Sequence, residues 1–151
     1  MRYFEDFKVG ERFEFGSKTM TEEEIIAFAE QYDPQPFHLS EEQAKDSIFG
    51  GLVASGWHLC GVFMRMHVDN FLSQTAGLGS PGVDSIRWLR PVRPGDTLRA
   101  RTEVLELRPS ASRPTMGVVK LKTELRNQRD QVVMTMQGTG FVARRSEPGD
   151  A

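Results

Sequence analysis

An α+β domain, with an antiparallel sheet wrapped around one buried helix, is the fold class this sequence predicts. Three observations carry that expectation. The segment from Leu52 to about Leu72 is apolar on nearly every helical face, which places a helix inside the protein. The half of the chain after it reads as strands separated by turn residues. The chain has 151 residues and no internal repeat, the length of one domain with a sizeable core.

The elements follow in order. Val9-Gly10-Glu11 forms a turn, and Arg12-Phe13-Glu14-Phe15 alternates polar and apolar at strand period. Thr21 and Glu24 have the spacing of a capping box, and Ile25, Ile26, Phe28 and Ala29 continue at helical spacing until Pro34 stops the helix. Ser40 and Gln43 repeat the capping pattern and start a short helix through about Lys45. In the central helix, Val53, Trp57, Cys60, Met64 and Val68 form one stripe, and Leu59, Phe63, Met66 and Phe71 cover other faces. Gly50-Gly51 punctuates its start; Gly77, Gly79 and Pro81-Gly82 punctuate its end. Asp84–Leu89 then leads into the turn-rich Pro91–Asp96. Strands are expected over Thr97–Leu107, Met116–Leu125 and Gln131–Val142, with Asn127–Asp130 as the last turn. The domain is expected to span residues 1–144, followed by a disordered polar tail over 145–151.

Composition excludes several classes of function. Net charge is −2 and the sequence pI is about 5.9, with both signs spread along the chain, so the basic footprint of a nucleic-acid binder is absent. No apolar run approaches the roughly 20 residues of a membrane-spanning helix. The N-terminal Met1–Asp6 lacks the apolar core of a signal peptide, and the single cysteine, Cys60, permits no intrachain disulfide. A cytoplasmic location is the expectation. His38, His58 and His67 have no second ligand at a recognised metal spacing, so no metal is expected.

The candidate chemistry lies in Asp33-Pro34-Gln35-Pro36-Phe37-His38. Each proline fixes its own φ at about −65° and pushes the preceding residue out of helical geometry. Asp33 and Gln35 are therefore extended, and the segment is read as a stiff loop. A carboxylate and an imidazole in fixed relation can move protons near neutral pH.

With its surroundings, this stretch resembles the MaoC-like (R)-specific enoyl-CoA hydratases and dehydratases, which have the hotdog fold. The match runs through Asp33, Pro36 and His38, then Phe49 and Gly56. It continues in Arg87-Trp88-Leu89-Arg90-Pro91-Val92 and Pro94-Gly95-Asp96-Thr97-Leu98. Three departures stand out. Gln35 replaces the family's usual Asn, and Phe37 replaces a smaller aliphatic residue. Ser55-Gly56-Trp57-His58 stands where His-Gly-Met-Leu is usual.

The resemblance implies reversible addition of water to a trans-2-enoyl thioester of the acyl-CoA type, without a cofactor. Asp33 and His38 would activate water, and the Gly56 N–H would receive the oxyanion charge at a helix N-terminus. It also implies a homodimer or higher homo-oligomer. Gln35, Ser55 and Trp57 become candidate substrate contacts, and Arg87 and Arg90, with Arg93, candidate contacts to coenzyme A phosphates. Each candidate has an ordinary alternative. Asp33 could make a turn bond, His38 a bond at a loop–helix junction, Gly56 a close packing contact, and Ser55 only a helix cap. The arginines could line a solvated strand face. His58 is read as a satisfied core residue and Cys60 as a small hydrophobe.

Two other functions are compatible with the same fold. A hotdog thioesterase generally places a carboxylate on the central helix, and residues 53–68 contain no Asp or Glu. A non-catalytic acyl-binding subunit would not need both Asp33 and His38.

Overall fold

The computed structural model describes residues 1–145. After a 3₁₀ turn at Phe4–Asp6 come β1 (Arg12–Thr19), α1 (Glu22–Tyr32), α2 (Pro36–Leu39), α3 (Glu41–Ala44) and α4 (Gly56–Asn70). A second 3₁₀ turn, Leu72–Gln74, leads into β2 (Gly77–Trp88), β3 (Thr97–Pro109), β4 (Met116–Arg126) and β5 (Val132–Ala143). The strands form one antiparallel sheet in the order β1-β3-β4-β5-β2. This is the hotdog architecture, a sheet around a central helix.

The sheet is not a simple meander. β3, β4 and β5 follow one another, but β2 pairs with β5 at one edge and β1 with β3 at the other. The connection over residues 89–96 explains the crossing: Pro91 and Pro94 cannot donate to a ladder, so the chain leaves the sheet there. It is anchored inward instead, where Ala54 N–H donates to Val92 O (2.8 Å) and Val92 is buried.

β2 begins seven residues before the expected Asp84. Gly77, Gly79, Pro81 and Gly82 are not punctuation but the first half of a strand with repeated register shifts. An edge strand tolerates the missing donor of Pro81, and left-handed φ at Gly79 and Gly82 accommodates the bulges.

Thr21 caps α1 by accepting from Glu24 N–H (3.2 Å), and Ser40 caps α3 by accepting from Gln43 N–H (3.0 Å). The central helix is shorter than its apolar run. Leu52, Val53 and Ala54 are buried but extended, with Val53 N–H donating to Phe37 O (3.1 Å), and helix geometry starts at Gly56. Apolarity alone could not separate a buried extended segment from the helix it feeds.

Along α4, Leu59, Phe63 and Met66 enter the core with Leu98, Ala100, Leu125 and Met134 of the sheet. The stripe of Trp57, Met64 and Val68 is exposed in the single chain, not buried. A second cluster of Phe7, Phe71, Val104, Val119 and Val142 closes the far end of the helix. Of the expected tail, Arg145 pairs with Asp6 (2.8 Å); residues 146–151 lie outside the described residues.

Candidate active site

Asp33 is the residue after α1, with its N–H bonded to Ala29 O (2.9 Å) and its backbone turned out of the helix by Pro34. Gln35 is extended, as expected, but Asp33 is not: at φ −154°, ψ 65° it lies outside both the extended and the helical regions, and the segment does not stay a loop. Pro36 occupies the first position of α2, where its fixed φ suits a helix and its missing N–H costs nothing. That single turn carries His38 back toward Asp33. The His38 Nε2 lies 3.3 Å from Asp33 Oδ2, with both side chains largely buried.

The environment assigns the imidazole's protons. Nδ1 is 2.6 Å from the carbonyl oxygen of Val53, which can only accept, so Nδ1 carries hydrogen and Nε2 faces Asp33. This contact exists because residues 52–54 are extended rather than helical.

The carboxylate is held on both oxygens. Gln35 Nε2 donates to Oδ1 (2.7 Å), and Ser55 Oγ donates to Oδ2 (2.7 Å). Burial pushes the Asp33 carboxyl up, but the bonds from Ser55 and Gln35, together with the charge His38 carries when it is protonated, more than offset it, and the group sits below its ordinary value.

Ser55 does two things at once. It is fully buried, and its hydroxyl oxygen also accepts from Trp57 N–H (3.3 Å), capping α4. Gly56, the first residue of α4, has no acceptor for its N–H among the described residues, as expected for a helix's first turn. A Cβ on Gly56 would come within 2.3 Å of the Trp88 indole, whose Nε1 donates to Gly56 O (3.1 Å). The glycine therefore serves close packing.

Asp33, Gln35, His38, Gly56, Trp57 and Arg90 all line one cavity of about 400 Å³. Ser55 lies behind it. Arg87 does not reach it: Ile86 packs on the core and Trp88 on Gly56, so the residue between them faces the opposite side of β2. Arg93 is turned onto Phe49 O. Sequence reasoning missed Trp88 as a wall of the site and Val53 as the partner of His38. The only signal for the first was an aromatic in an alternating strand.

His58 differs from its reading as a satisfied core residue. Its ring stacks on Phe28 at 4.7 Å, and its buried Nδ1 has no hydrogen-bond partner among the described residues. Cys60 is half-buried with its Sγ 3.8 Å from Met134 Sδ, and burial pushes its thiol up. Among the described residues no three His, Cys, Asp or Glu side chains gather as metal ligands.

The family model described as "MaoC like domain" matches residues 6–126. The chain belongs to this MaoC-like family. Among its relatives, the (R)-specific enoyl-CoA hydratase of Rhodospirillum rubrum is 32% identical over 72% of this chain and 74% of its own length. The 3-hydroxybutyryl-CoA dehydratase of Methylorubrum extorquens is 28% identical over 90% of this chain and 93% of its own. Among solved structures, a MaoC-like dehydratase from Rhodospirillum rubrum superposes with a TM-score of 0.90 at 41% identity, covering 97% of this chain and 100% of that one. The MaoC-like assignment and the hotdog sheet around α4 agree.

Proposed function

We propose that this MaoC-like chain catalyses the reversible hydration of a trans-2-enoyl-CoA to an (R)-3-hydroxyacyl-CoA. The observation that carries the reading is the Asp33–His38 pair, 3.3 Å apart, facing the same cavity as the first turn of α4. The names of the relatives, hydratase and dehydratase of acyl-CoA compounds, support the same reaction class.

The geometry suits one water molecule. With Nδ1–H committed to Val53 O, a neutral His38 presents a lone pair at Nε2, and ionised Asp33 presents another at Oδ2. A water donating one hydrogen to each keeps its oxygen lone pair for C3 of the enoyl group. As the C–O bond forms, Asp33 takes a proton, and the pair returns one to Cα on the same face. The electron pair displaced from the double bond moves toward the thioester oxygen. There the Gly56 N–H and the positive end of the α4 dipole meet the developing charge. Dehydration reverses each step. Gln35 and Ser55 hold the base, while Trp57 and Trp88 wall the acyl path.

The thioesterase alternative finds no support in the cavity, where no carboxylate of α4 contributes; Asp69 is exposed and paired with Arg65. The largely exposed α4 face and β2 edge fit a second copy of the chain, so we take the working unit as a homodimer.

The test is loss of enoyl absorbance on adding the protein to crotonyl-CoA and to longer or branched trans-2-enoyl-CoAs. Asp33→Asn and His38→Ala are expected to lower turnover by about 10²–10⁴-fold each. Absence of turnover with every thioester would overturn the hydratase reading and favour an acyl-binding subunit.

A further inference from the structure

A second cleft adjoins the catalytic cavity and shares two residues with it, Arg90 and Pro91. Its volume is about 360 Å³, and its other walls include Arg93, Asp96, Asn127, Arg129 and Gln131. The chemistry of the two cavities differs sharply. The first is walled largely by aromatic and aliphatic side chains around one acid–base pair; the second is lined by charged and amide side chains with two prolines, Pro91 and Pro94.

Several arginines near this end of the sheet are already committed. Arg126 pairs with Glu124 (2.6 Å) and Asp130 (3.2 Å), Arg101 with Glu14 (2.8 Å), and Arg93 donates to Phe49 O. Arg90 and Arg129 make no side-chain hydrogen bond or ion pair among the described residues. They come from two separate segments, the connection over residues 89–96 and the β4–β5 turn. The one carboxylate of the cleft, Asp96, accepts from Arg93 N–H (2.9 Å) and from Gln128 Nε2 (2.9 Å), so each of its oxygens already has a donor.

The cleft is also stiff. Gln128 bridges the two segments, since its Oε1 accepts from Thr97 N–H (3.0 Å) while its Nε2 holds Asp96. Within the turn, Asn127 Oδ1 accepts from Arg129 N–H (2.9 Å) and Gln131 N–H (3.1 Å). Two uncommitted guanidiniums on a braced backbone are free to meet a phosphate-bearing ligand, because guanidinium forks match phosphate oxygens.

We propose that this cleft binds the nucleotide phosphates of coenzyme A, with Arg129 and Arg90 as the phosphate ligands. The thioester end then lies in the adjoining cavity, and the link between the two is Arg90–Pro91. The choice of thioester in that cavity rests on the hydratase reading; the phosphate site does not. A braced concave cleft suits a small anion, whereas an acidic carrier-protein surface would be met by a broad convex spread of cations.

Calorimetry with adenosine 3′,5′-bisphosphate and with coenzyme A, at low and at raised salt, tests the site without turnover. Binding to the wild type is expected, weakening as salt rises and falling about tenfold or more in Arg129→Gln and in Arg90→Gln. Arg113→Gln removes the same charge at the β3–β4 turn, at the other end of β4, and is expected to leave binding as it was. In kinetics, the kcat/KM preference for an enoyl-CoA over the enoyl thioester of pantetheine, which lacks the nucleotide, should fall by a similar factor in Arg129→Gln. No binding of the bisphosphate to the wild type, or an equal loss in Arg113→Gln, would overturn the proposal. So would a carrier-protein thioester whose KM, rather than that of the CoA thioester, responds to Arg129. Arg129-dependent bisphosphate binding without turnover of any thioester would sustain the phosphate site and reject the hydratase reading alone.

Discussion

Ser55 shows how one hydroxyl can join a helix cap to the carboxylate proposed as the base. Its hydrogen goes to Asp33 and its lone pair to the start of α4, so the Asp33 carboxylate and the first turn of α4 are tied together. In Ser55→Ala one of the bonds that hold the Asp33 carboxyl below its ordinary value is gone. The acid limb of the pH profile of kcat/KM should then move to higher pH, with kcat falling about tenfold, the usual scale for a hydrogen bond to a charged group. A rise in KM with unchanged kcat would instead mark Ser55 as a substrate contact. His67 makes the opposite kind of residue-level statement. It is buried between Phe63 and Phe71, its Nδ1 lacks a partner among the described residues, and burial pushes its imidazole down to about 4. Its folded value is depressed below the ordinary 6.5, so the unfolded chain binds the proton first as pH falls. Above pH 6.5 the group is neutral in both states; the loss of stability develops between there and about 4 and reaches about 3 kcal/mol. His67→Phe should remove that part of the acid sensitivity, read as the difference in Tm between pH 7 and pH 4.5 for the two proteins. Equal slopes would show that His67 is not buried in solution.

At the scale of elements, the start of α4 is the junction on which the site depends. Gly56→Ala drives a methyl into the Trp88 indole, which must shift; a cost of about 1–3 kcal/mol is typical of such overpacking. Denaturation of Gly56→Ala, Trp88→Ala and the double variant should show strong coupling, with the second change costing less once the first is present. Simple additivity would mean that the two do not press on each other. This junction was also where the sequence was least legible. The α+β class and the capped α1 and α3 could be read, because periodicity and capping residues are local signals; the hotdog fold entered through the family resemblance. The Asp33–His38 pairing was legible because two prolines restrict the chain between them. The extended path of residues 52–54 was not, since its hydrogen bonds go to Phe37 and Val92, partners set by tertiary packing. Nor was the glycine-rich half of β2, because bulges at an edge look like turn residues in a linear chain. Arg129 sat unnoticed in a turn whose proximity to Arg90 exists only after folding.

The whole molecule leaves one surface that a single chain does not cover. Trp57, Met64 and Val68 on α4, with Leu78, Val83 and Trp88 on β2, are large apolar side chains left exposed. Two pairs among them meet across the two elements: Trp57 packs edge-on against Trp88 at 5.3 Å, and Met64 and Val83 line one cavity. Beside them runs the outer edge of β2, a row of backbone groups of the kind that pairs with another strand. A two-fold axis near this surface would set the same patch against itself, helix beside helix and β2 beside β2, which is how an isologous dimer forms. The prediction follows from like charges meeting across such an axis. Met64→Glu with Val68→Glu places two carboxylates per chain on a face that is solvent-exposed in the monomer, so the fold should persist. Analytical ultracentrifugation should find the wild type as a dimer and the double variant as a monomer, with circular dichroism unchanged. Because Trp57 and Trp88 belong both to this patch and to the wall of the cavity that holds Asp33 and His38, the proposed enoyl hydration should fall together with dimer content. A monomeric double variant with full turnover would show that each chain's site is complete without its neighbour.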